Sequence, residues 1–154
     1  MDKKQAYSDL ARDYAAVVEG ENNQVARMAT LVSMLVTTFG ARFFWCGFYL
    51  VDVEKPVELV IGPYQGTLGC LRIPFSRGVC GKAARTQQTQ IVNDVHAFEG
   101  HIACDSRSNS EIVVPVFDDA GQLVAVFDID STEFAAFDQM DAEGLEKLCG
   151  MVFH

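Results

Sequence analysis

Cysteines stand at positions 46, 70, 80, 104 and 149 of this chain. An odd number of widely spaced thiols, behind an N-terminus with no apolar leader segment, suits a reducing compartment. There, free, catalytic or metal-binding thiols are expected rather than a structural disulfide framework. Cys46 and Cys149 fall on apolar faces of an expected strand and helix and read as packing residues. Cys70, Cys80 and Cys104 fall at element ends or in a loop, where a thiol can be reached. Cys80 follows Gly78 at an expected helix start, where the helix dipole favours a thiolate. Cys104 stands beside Asp105, which opposes ionisation, so its activation must come from elsewhere, with His101 and Arg107 as candidates.

Carboxylates and aromatics supply a second set. On a strand over residues 123–130, alternation sets Val124, Val126, Asp128 and Asp130 on one face, with the two carboxylates roughly 6–7 Å apart. Either the strand emerges into solvent at Asp128, or the face is covered. In a covered face both ions cost several kcal/mol unless a cation pairs with them or one keeps its proton. Glu111, just before an apolar run, adds a third acid to the region. On a strand over residues 43–51, Phe44, Cys46, Phe48 and Leu50 form a core face, while Trp45, Gly47, Tyr49 and Val51 form the other. The glycine leaves room between two aromatic walls, or the face simply lies under a loop. Aromatic walls and three acids together describe a cleft for a small cation with an apolar appendage, such as an amino acid, and a raised pKa there makes a proton donor.

His96, His101, Cys80 and Cys104 could form a four-ligand metal set, but no CxxC pair or HxE plus CxxC pattern supports it, and no metal is expected. No phosphate loop, GxSxG elbow or GxGxxG occurs.

The elements that must position these residues follow from periodicity. Tyr7, Leu10, Tyr14, Val17 and Val18 mark a helix ending at Gly20. Asn22 or Asn23 caps a second helix, with Val25, Met28, Leu31, Val32 and Leu35 on its apolar face, ending near Gly40. Strands are expected at 43–51, 57–61, 70–75, 90–93, 112–117 and 123–130, a short helix at 78–88, and a last helix from Asp138 carrying Leu145, Leu148, Cys149 and Val152. Residues 94–110 show no sustained period. An unstructured stretch of that length is often a functional lid, and Cys104 lies in it. This order predicts a single α+β domain over 1–154, with an antiparallel-rich sheet of about six strands and helices mainly on one face.

Bulk composition narrows the function. The 154 residues are 49% hydrophobic and 21% charged, enough for one core and too little for two domains. A net charge of −9 repels phosphate backbones and anionic lipid, so nucleic acid and membranes are not expected as partners. No apolar run approaches bilayer length, so the cytoplasm is the expected location.

The stretches WCGFY (45–49), RGVCGKA (77–83), ACDSRSNSEIVVPV (103–116) and DIDS (128–131) resemble the free methionine-(R)-sulfoxide reductases, which are stand-alone GAF domains. The likeness runs from about residue 43 to the C-terminus. It implies that Cys104 is the catalytic cysteine, Cys70 its resolving partner and Cys80 an auxiliary thiol. Trp45, Tyr49, Glu111, Asp128 and Asp130 fall where the family places substrate-pocket residues. Arg107, where a small residue is expected, and Phe127, where an aliphatic is usual, depart from the pattern. The implied reaction reduces free L-methionine-(R)-sulfoxide through a sulfenic acid and an intramolecular disulfide, recycled by thioredoxin or an equivalent thiol reductant. The resemblance implies no cofactor and is compatible with a homodimer. The alternatives are a small-molecule-sensing GAF module and a peroxide-sensing thiol protein. Neither turns substrate over, and the second has no need of the acidic pocket.

Overall fold

The computed structural model describes residues 1–154. α1 (Lys3–Val17) opens on Asp2, whose carboxylate accepts from the Gln5 amide, and α2 (Gln24–Phe39) opens on Asn23, whose side chain accepts from the Ala26 amide. Each cap satisfies a donor that the first helical turn leaves free. α2 stops at Gly40, which takes a φ of 64° at little cost for lack of a β-carbon. Val17 and Val25, expected on the apolar faces, are exposed instead, each in a terminal turn of its helix.

The remaining elements are β1 (Trp45–Val51), β2 (Glu58–Gln65), β3 (Arg72–Pro74), α3 (Gly78–Thr86), β4 (Gln90–Val92), β5 (Ser110–Phe117), β6 (Leu123–Ser131) and α4 (Gln139–Cys149). They form one six-stranded sheet in the order β3-β2-β1-β6-β5-β4, with every neighbouring pair antiparallel. Two expected hairpins, β1–β2 and β5–β6, are present. They are joined through β1 and β6, which lie some eighty residues apart in the chain.

α1, α2 and α4 cover one face around buried Phe48, Ile112, Phe127 and Ile129. α3 and the 93–109 loop cover the other, over Trp45, Tyr49, Val113 and Val126. The expected placement of helices mainly on one face therefore holds, with α3 as the exception that roofs the second face. Phe127 packs its ring 4.4 Å from that of Phe48 in the three-helix core, away from the chemistry-bearing face. No helix is long and apolar enough to cross a membrane.

Two expectations about faces are corrected. β1 begins at Trp45, so Phe44 precedes the strand and packs on the α3 side, not with Cys46. Val124 does not share a face with Asp128. The register slips where Phe117 pairs with Leu123 but Val116 with Ala125, and this extra residue on β6 reverses the alternation. Val124 therefore packs toward the three-helix core.

α4 is capped by Asp138, with Asp141 returning the hydrogen bond as a capping box. Asp141 is fully buried and also holds Lys3 and accepts from the Tyr7 hydroxyl, both at 2.7 Å. One turn on, Gly144 leaves room for the Tyr7 ring, and a β-carbon there overlaps it. Gly144→Ala should therefore destabilise the fold by about 1–3 kcal/mol, despite the ~1 kcal/mol that alanine gains over glycine within a helix. The urea midpoint measures this, and an unchanged or raised midpoint contradicts it.

Candidate active site

Pairing of β1, β6 and β5 arranges the second face in rows. Trp45 lies opposite Asp130, which lies opposite Glu111. One pleat along the same face, Gly47 lies opposite Asp128 and Asp128 opposite Val113. Directly opposed side chains on one face are near neighbours, so register alone gathers Glu111, Asp128 and Asp130 into a cluster beside the aromatic wall. The strand does not emerge into solvent at Asp128, which is 5% exposed, as is Glu111. Asp130 is partly exposed to the cleft.

The room expected above Gly47 is already filled. Tyr64, its partner on β2, occupies the position a β-carbon at Gly47 would take. Trp45 is thereby stacked between Tyr49 at 5.7 Å and Tyr64 at 5.0 Å, and its indole N–H donates to the Thr67 carbonyl at 2.9 Å. Tyr64 was missed by sequence reasoning. Its one signal was the glycine itself, since a missing side chain on a packed face leaves space for a cross-strand neighbour.

The loop over residues 93–109 roofs the cleft, which takes in Trp45, Tyr49, Cys80, Cys104 and the three acids. Cys104, at its rim, forms a disulfide with Cys70, the two Cα atoms 5.7 Å apart. A second tie runs beside it, because Asp105 accepts from the Thr67 hydroxyl at 2.8 Å. The Asp105 carboxylate also binds the Arg107 guanidinium, which holds it well below the usual carboxylate range. Arg107 in turn lies over the Phe44 ring at 4.9 Å. Arg107 thus neutralises the acid adjacent to Cys104.

Burial pushes all three acids well above their ordinary values. Each is raised further by a neighbouring carboxylate: Glu111 by Asp130, Asp128 by Glu111, and Asp130 by Asp128. His101 Nε2 stands 3.5 Å from Glu111, but burial lowers the imidazole pKa, so at neutral pH it brings no countercharge. Asp128 Oδ1 is buried without a hydrogen-bond partner. Protonated forms are thus favoured in a cluster that lines the same cleft as Cys104.

Cys80 departs from expectation. It is the third residue of α3, but the helix turns it inward, where it is 3% exposed. Burial, followed by the charges of Asp128 and Glu111, pushes its thiol well up, so desolvation outweighs the helix dipole and Cys80 keeps its proton. The metal set weighed from the sequence does not assemble, as His96 turns to Asn109 at 2.9 Å. Cys46 and Cys149 are buried in the three-helix core, as read.

Residues 24–152 match the GAF domain family. The free methionine-R-sulfoxide reductase of Escherichia coli (strain K12) is 45% identical over 148 residues, which cover 96% of this chain and 87% of that protein. The chain belongs to the free methionine-R-sulfoxide reductase family. The Saccharomyces cerevisiae free methionine-R-sulfoxide reductase is 37% identical over 155 residues, covering 99% and 86% of the two chains. A solved structure of the Neisseria meningitidis free methionine-R-sulfoxide reductase in complex with its substrate superposes with a TM-score of 0.92 at 45% identity, covering 99% of this chain and 89% of that one. The expected GAF fold and the expected reductase family are both borne out, and this free methionine-R-sulfoxide reductase is an oxidoreductase enzyme.

The raised acids make the reductase's stability fall as pH rises. A carboxyl whose folded pKa exceeds its unfolded one stabilises the fold fully below the unfolded value, near 3.8 for aspartate, and loses that contribution as pH climbs through the folded value. Asp128→Asn removes one member of the cluster. Its melting temperature relative to the parent chain should therefore be higher at pH 8 than at pH 4, as calorimetry would show. A difference that does not vary with pH would mean that the three acids are not protonated together.

Proposed function

We propose that this enzyme reduces free L-methionine-(R)-sulfoxide to methionine in the cleft beneath the 93–109 loop. The observation that carries the reading is the position of Cys104, joined to Cys70 at the rim of a cleft floored by Glu111, Asp128 and Asp130 and walled by Trp45 and Tyr49.

Once the disulfide is reduced, the Cys104 thiolate attacks the sulfoxide sulfur while a protonated carboxyl of the floor donates to the sulfoxide oxygen. The oxygen passes to Cys104 as methionine leaves, so the thiol is oxidised to a sulfenic acid and the sulfoxide reduced to a thioether. Cys70 attacks that sulfenic sulfur, the S–S bond forms, and the hydroxyl leaves as water. An external dithiol such as thioredoxin reopens the bond by exchange, supplying the two electrons and leaving as a disulfide itself. Cys80 is the auxiliary thiol in this reading. Such a cycle belongs in a reducing compartment such as the cytoplasm.

Selectivity follows from charge and handedness. An ammonium group offsets the cost of ionising an acid in the floor, which the amide of a peptide-linked residue cannot do. With the attacking thiol at the rim, the proton donors below and the Trp45 wall at the side, one configuration at sulfur presents its oxygen to the acids.

Reduced protein supplied with dithiothreitol should release methionine from the free R epimer, and none from the S epimer or from sulfoxidised protein. Equal rates on free and protein-bound substrate would overturn the closed-cleft reading. Cys104→Ser should abolish turnover, whereas the double variant Cys70→Ser/Cys80→Ser should release about one methionine per chain and then stall, because the first step needs a single thiol. Absence of that first equivalent would count against Cys104 as the attacking group.

A further inference from the structure

Cys80, Glu111 and Asp128 come from three elements, α3, β5 and β6, yet the Cys80 Sγ and one carboxylate oxygen from each acid all lie within 4.8 Å of one another. All three residues are buried. One thiol and two carboxylates are donors that a borderline-soft divalent cation accepts together, whereas calcium and magnesium take oxygen alone. Around zinc, ligand atoms sit about 3.3–3.8 Å apart, so side-chain rotation of about 1 Å closes the set. An independent observation points to a missing partner: Asp128, a member of this group, has its Oδ1 buried without a hydrogen-bond partner. An unsatisfied buried carboxylate oxygen is costly, and a cation relieves that cost. The imidazole of His101, 3.5 Å from Glu111, is a nitrogen donor beside the set.

We propose that Cys80, Glu111 and Asp128 form a binding site for a zinc-class divalent cation on the floor of the cleft. Binding displaces the Cys80 proton and the protons that Glu111 and Asp128 hold, releases them to solvent, and forms one sulfur–metal and two oxygen–metal bonds with no change of oxidation state. The cation occupies the acids assigned above to the substrate's ammonium group, so it blocks reduction. That consequence rests on the proposed reaction, and the site itself does not.

The test uses the full chain with the Cys70–Cys104 bond intact, which leaves Cys80 as the one cleft thiol free to ligate, and Co²⁺ alone as the probe. Titration should load a single Co²⁺ per chain with the intense near-ultraviolet absorption of a cobalt–thiolate bond. Cys80→Ala should lose that absorption. Asp128→Asn, which leaves the thiol in place, should bind at least the ~10-fold more weakly that even a change outside the ligand set can cause, with circular dichroism reporting the fold of both variants. No binding, binding without the thiolate band, or parental affinity in Asp128→Asn would overturn the site. None of these readouts involves turnover, so failure of the site and failure of the proposed reductase reaction are told apart.

Discussion

Three carboxyl groups packed side by side, two of them buried and the third only partly exposed, resist being ionised together, and the chemistry-bearing half of this molecule is arranged around that constraint. Glu111 and Asp130 face each other across β5 and β6, and Asp128 follows one pleat along. Burial and mutual repulsion both favour the protonated forms. A floor of this kind offers protons to an oxygen and welcomes a cation. In solution a carboxylate at neutral pH holds no proton to offer.

The roof of the cleft is tied down by a different kind of interaction. Asp105 is the one acid near Cys104 that stays fully ionised, because Arg107 and Thr67 bind it from two sides. The Thr67 bond links the segment leading to Cys70 with the segment carrying Cys104, beside the disulfide that joins them. Arg107 finds a place because Phe44 lies beneath it, and Phe44 is free to do so because β1 starts at Trp45, two residues later than expected. The same guanidinium cancels the charge beside Cys104 that would otherwise oppose thiolate formation. Charge at the rim is thus balanced locally, while charge on the floor is suppressed by burial.

The three-helix face does no chemistry and supplies the rigidity. Phe48 against Phe127, and Tyr7 against Asp141 at the start of α4, fix β1 and β6 from behind. Because successive strand residues point to opposite faces, any slip that unseated Phe127 would also turn Asp128 and Asp130 out of the cleft. Core packing on one face is therefore what holds the acid register on the other.

Much of this was legible in the residues themselves. Helix caps at Asn23 and Asp138, the apolar runs of the six strands and the aperiodic stretch around Cys104 are local signals, set by hydrogen bonding and side-chain period within a few residues, and the structure keeps them. The cysteine spacing and the motifs around it carried the family likeness. Contacts between distant segments decided the rest. The β1–β6 pairing placed Trp45 beside Asp130, and the bulge at Val124 broke an alternation that looked continuous. Tyr64 filled the space over Gly47, and burial overrode the helix dipole at Cys80. Local chemistry is written in the chain because it acts over a few bonds, whereas burial and proximity are properties of the packed whole, and on those the ionisation of every group in the cleft depends.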